Sequence, residues 1–130
     1  MMRTRLLMSL SAAVMAAIGL VATFLPQELL AGSGVAPDSR GVLLLQVSGA
    51  VYCGSAMANW MARGNTIGGI YSRPIALGNF LHFTVAGIAL SKAVAHGPLD
   101  PVLLAAAAVY LAFAACFGFV VFTHPVRDRG

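Results

Sequence analysis

The sequence is poor in charge, and almost all of the charge it has is kept out of four long apolar stretches. Asp, Glu, Lys and Arg make up 9% of its 130 residues and hydrophobic residues 59%, against about a quarter and somewhat under a half in soluble domains. That balance excludes water as the main solvent. A separate soluble domain would need a mixed-polarity stretch of at least about 50 residues, and none is present. Cysteine is also scarce. Cys53 and Cys116 stand alone, without a Cys-x-x-Cys pair, a zinc spacing or a haem-attachment motif. Both fall inside apolar stretches and read as small hydrophobes with free thiols. The residue-by-residue alternation of membrane β-strands is missing as well, which excludes a barrel.

Four apolar runs remain, at residues 6–25, 42–62, 75–95 and 102–122. Each matches the roughly 20 residues that carry an α-helix across a hydrocarbon core of about 30 Å. Lys92 is the one formal charge among them. It lies near the end of its run, where the stem rests in lipid and the ammonium reaches water. The predicted fold is all-α: four transmembrane helices in an up-down-up-down antiparallel bundle, a single domain over residues 1–130.

Basic residues set the expected orientation, because Lys and Arg collect in short cytoplasmic segments. Arg3, Arg5, Arg63, Arg73, Arg127 and Arg129 fall on one side of such a bundle, and only Arg40 and Lys92 on the other. The acidic Glu28, Asp38 and Asp100 all share the sparse side. Both termini are therefore expected in the cytoplasm. The first run resembles a signal-peptide core behind Arg3 and Arg5, but it exceeds the usual 7–15 residues, and Leu29 is large for a cleavage site ending at Ala31. It is read as a retained span.

Pro26, Gly32, Gly34, Pro37 and Gly41 are expected to break the first connection. Pro74 and Pro101 precede the third and fourth spans, where a missing N–H costs little, and Asp100 is placed to cap the fourth. Gly54 with Ala58, Gly87 with Ser91, and Ala108 with Ala112 and Cys116 put small residues four apart, a spacing that lets helices approach closely in lipid.

Functional chemistry is expected where polar residues gather, from Asn59 through Trp60 and Arg63 to Tyr71, Arg73, Asn79 and His82. Asn79 and His82 share a helix face, and Asn59 lies at a comparable depth on the preceding span. The candidate site is one cytoplasm-facing cluster of Asn59, Arg63, Tyr71, Arg73, Asn79 and His82. Its structural reading is an aromatic belt, topology-setting arginines and polar helix-joining residues. Its ligand reading is a pocket for an anionic headgroup or a quinone. Gly64, Gly68 and Gly69 offer backbone N–H groups, but the Lys-Ser/Thr ending of a nucleotide loop is absent. His82 and His124, the best histidine pair for haem, differ in depth by roughly 10 Å, so haem ligation is not expected. No catalytic residue, metal ligand or cofactor is assigned, and a bound lipid or quinone is the ligand class considered.

The order of features, Pro26 and Leu29-Leu30 after the first span, Gly41 opening a second that ends in Trp60 and Arg63, then Arg73 and His82, resembles small four-helix bacterial membrane proteins of the DoxX-like group. The resemblance covers nearly the whole chain. It implies the four-span fold in a bacterial inner membrane; members of that group are described as membrane partners of redox or sulfur-metabolising systems, but the chain has no cysteine pair or cofactor motif that would carry that activity over. Three functions stand in order: an accessory or structural subunit of a larger membrane complex, a small transporter or lipid- or quinone-binding protein, and a membrane enzyme. The expected partners are membrane lipids and other membrane subunits or further copies of the chain, with no nucleic acid.

Overall fold

The computed structural model describes residues 2–65 and 72–123. Among them are five helices and no strand: α1 Met2–Phe24, α2 Pro26–Gly32, α3 Ser39–Ala62, α4 Ser72–His96 and α5 Pro101–Thr123. Four helical stretches, Thr4–Phe24, Ser39–Ala62, Ser72–His96 and Pro101–Thr123, are long and apolar enough to cross a membrane. Each expected run falls almost wholly inside one of them. Three hydroxyls within the spans bond back one turn: Thr23 Oγ1 donates to Gly19 O at 2.7 Å, Ser48 Oγ to Leu44 O at 2.8 Å and Ser91 Oγ to Gly87 O at 2.7 Å, whereas the buried Thr84 Oγ1 has no such partner.

The helix starts follow local chemistry. Asp100 Oδ1 accepts the Val102 N–H at 2.9 Å, the expected cap ahead of Pro101. Asp38 does the same for α3, accepting the Gly41 N–H at 2.8 Å, so the helix begins at Ser39 rather than at residue 42. The first connection needs a correction. Pro26 and Gly32 do not break it but bound the helix α2. Pro26 occupies the first turn, where it has no N–H to lose. Gly34, at φ 74°, ends the helix in a left-handed turn, with Val35 N–H donating to Leu30 O at 3.0 Å and Gly34 N–H to Ala31 O at 3.1 Å. Leu30 then meets the start of α3 at Gly41.

The contacts divide the chain into two compact units, one covering Met2–Gly64 and the other containing α4 and α5. In the first unit α1 and α3 run antiparallel, since Ser11 meets Asn59 while Gly19 meets Gly49 and Cys53. The buried stripe of α1 is Met8, Ala12, Met15, Gly19 and Ala22, in steps of four and three. Such spacing keeps one seam facing a partner helix. It opposes Gly49, Ala56, Asn59 and Ala62 of α3.

In the second unit α4 and α5 are also antiparallel, with Gly87 against Leu111 and Phe80 against Gly118. Ala76, Asn79, Phe83 and Gly87 face Ala107, Tyr110, Ala114 and Phe117. Phe83 and Phe117 are fully buried. Phe83 sits 4.8 Å from the Phe113 ring, 5.8 Å from Phe117 and 5.2 Å from Tyr110. Of the small-residue pairs expected to make contacts, Gly87 with Ser91 lies at this seam. Gly54, Ala108, Ala112 and Cys116 are exposed instead, and the close approach between α1 and α3 is made at Gly19 and Gly49.

Candidate functional site

Of the six residues expected to form one cluster, the five that are described divide between the units. Asn59 and Arg63 belong to the first, and Arg73, Asn79 and His82 to the second. Tyr71, Gly68, Gly69, His124, Arg127 and Arg129 lie outside the described residues.

In the first unit Asn59 is 1% exposed, and its amide finds partners on α1. Nδ2 donates to Ser11 Oγ at 3.1 Å and to Met15 Sδ at 3.4 Å, and Ser11 Oγ donates in turn to Met8 O at 3.0 Å. A polar amide held in an apolar seam gains most when its partners come from the facing helix, because there is no water to compete. Ser11 and Met15 were not legible as its partners, since α1 offers several small hydroxyls and nothing local tells which one faces α3.

Arg63 caps the end of α3. Its Nη1 donates to Trp60 O at 2.6 Å, satisfying a carbonyl that the helix leaves open. The guanidinium lies 3.6 Å from the centre of the Trp60 ring, a cation–π stack at one end of the unit. Trp60 also forms one end of an open apolar groove of about 280 Å³ on the flank of the α1–α3 pair, walled by Ala12, Ala13 and Ala16 of α1 and Ala56 and Met57 of α3. The other flank carries a second apolar hollow of about 470 Å³, where Val21 and Leu29 meet Leu45 and Tyr52.

In the second unit Arg73 is exposed in the first turn of α4. Asn79 is 5% exposed, on the stripe that packs against α5, and its Nδ2 donates to Ile75 O at 3.0 Å. The His82 ring is half-buried, 5.1 Å from Phe83 and 5.7 Å from Tyr110. Tyr110, itself 5% exposed, is a neighbour the sequence reading did not name.

The Ser11–Asn59 contact gives a measurable expectation. In a double-mutant cycle of Ser11→Ala and Asn59→Leu, read by unfolding in detergent, the two changes should couple by about 0.6–1.7 kcal/mol, the range seen for interhelical hydrogen bonds in membranes. Strict additivity would show that the contact contributes nothing to the pairing of α1 and α3.

These features define the class as an α-helical chain with four spans long and apolar enough to cross a membrane. No protein-family model, curated protein or solved structure matches the chain.

Proposed function

We propose that the chain is an accessory, structural subunit of a larger membrane complex, seated in a bacterial inner membrane by four spans that cross in alternation, with both termini cytoplasmic. The observation that carries this reading is the destination of the polar side chains within the spans. Ser11, Asn59 and Asn79 are buried in the seams of their own units. A path for a polar substrate would turn such groups toward a water-filled cavity. The exposed faces are largely apolar instead: Leu43, Leu44, Val47 and Val51 of α3 are all exposed, with Gln46 and Ser48 the polar residues among them. They suit lipid tails and the helices of neighbouring subunits. The resemblance to the DoxX-like group supports the four-span fold on which this role rests. The basic bias toward Arg3, Arg5, Arg63, Arg73, Arg127 and Arg129 supports the orientation.

One fusion tests both parts. A fluorescent protein that matures only in the cytoplasm, placed after Gly130, should light the cells and carry a second membrane polypeptide through purification in mild detergent at a fixed ratio. A dark fusion would overturn the orientation. A bright one that purifies alone at native expression level would overturn the subunit role.

A further inference from the structure

The flank of the α1–α3 pair has features that helix pairing leaves unused: an apolar groove, an aromatic wall and a basic mouth. The groove runs along about two turns of each helix, from Trp60 with Ala12 and Ala13 at one end toward Cys53 and Leu20 at the other. Because the helices are antiparallel, the segments beyond its Trp60 end are the start of α1 and the end of α3. Arg5 stands seven residues before Ala12, and Arg63 seven beyond Ala56. Seven residues are nearly two full turns, so each arginine falls close to the same helix face as a groove residue, roughly 10 Å further along the axis. The Arg63 guanidinium already lies over Trp60. The acidic residues of this unit, Glu28 in α2 and Asp38 ahead of α3, sit at the opposite end, so neither neutralises this mouth.

We infer that this groove is a binding site for one anionic phospholipid, with an acyl chain lying along Ala13, Ala16 and Met57 and the phosphate held between Arg5 and Arg63. Apolar walls of alanine leave room for a chain, the Trp60 ring sits at the boundary between tail and headgroup, and two guanidinium groups suit a phosphate through charge-assisted hydrogen bonds. An uncharged membrane helix would fill the groove equally well but bring no negative charge to the two arginines, and a zwitterionic lipid would bring its own cation to the mouth. The inference is independent of the subunit role, since the lipid would bind with or without protein partners.

Trp60 is the single tryptophan of the chain, which supplies a direct probe. The purified full chain, reconstituted in phosphatidylcholine vesicles, is titrated with phosphatidylglycerol brominated on its acyl chains, and separately with brominated phosphatidylcholine. Bromine quenches an indole only on contact. The anionic lipid should quench Trp60 at a lower mole fraction, by roughly five-fold for each arginine engaged. The Arg5→Gln/Arg63→Gln variant should lose that preference while keeping the helical circular dichroism spectrum of the folded chain. Ala13→Phe, which fills the groove at an exposed position and leaves both charges in place, should lose it as well. Equal quenching of the unaltered chain by both lipids overturns the site, as does a preference that survives the double arginine variant. A preference that survives Ala13→Phe assigns the effect to diffuse surface charge and overturns the groove.

Discussion

Replacing Gly19 by leucine is expected to abolish the pairing of α1 with α3. A Cβ at Gly19 would lie 2.7 Å from Cys53 Sγ and 2.9 Å from both Cys53 N and Gly49 O. The last two are backbone atoms, so no rotamer change relieves them and the helices must move apart. At Gly49 a Cβ would lie 2.8 Å from Gly19 O and 2.9 Å from Thr23 N, and the two glycines therefore define one point of closest approach. Alanine at Gly19 should cost about 1–3 kcal/mol, as overpacking does elsewhere. Leucine should prevent a folded first unit. The control is Gly54→Ala, where a Cβ meets nothing within 4 Å and the gain in helix propensity is at most about 1 kcal/mol. Unfolding in mixed detergent micelles, followed by far-UV circular dichroism, reads all three. A Gly19→Leu chain with an unchanged midpoint would show that the close approach is not needed.

Truncating Phe83 should be the most damaging single change in the second unit. The ring is wholly buried and packs against four others, stacked on Phe113 and Phe117 and edge-on to Tyr110 and the His82 imidazole. In a soluble core Phe→Ala costs about 3–5 kcal/mol, part from transfer and part from the cavity. Between helices in lipid most of the transfer part falls away, because tails are as apolar as the core, and the packing part remains. The expected loss for Phe83→Ala is about 2–3 kcal/mol by that reasoning. Phe119→Ala, at a position 66% exposed, should leave the midpoint nearly unchanged. Equal losses at the two positions would mean that the aromatic seam does not hold α4 to α5.

Both experiments probe stripes that the sequence did not announce. In a soluble helix the buried face is the apolar one, so its periodicity reveals it. Here lipid and seam are both apolar, and the seams are in places the more polar side: Asn59, Asn79, Ser11 and Ser72 are buried while Leu43, Leu44 and Phe122 face outward. Gly49 and Gly54 have equivalent local settings within α3, yet only one meets another helix. The candidate site was legible to the same degree. Asn59 and Asn79 were expected to need partners and are buried, but which atoms satisfy Asn59 depended on the rotation of α1 about its axis. The pairing of Arg63 with Trp60 is local, since residues three apart share a helix face, and both stand in the polar stretch that the sequence places at one end of the span.

The sequence by itself determined the class of structure. A run of about 20 apolar residues must bond its own backbone wherever water is absent, so four helices, their approximate limits and the caps at Asp100 and Pro101 follow from local chemistry. The short helix α2 did not follow, because proline and glycine serve equally as ends of a helix and as breaks in a loop. Tertiary structure alone decided which face of each helix enters a seam. That choice rests on shape, on where a hydrogen in place of a side chain lets two backbones touch, and on a few hydrogen bonds across the seam, none of which leaves a hydrophobic signal when the solvent is itself a hydrocarbon.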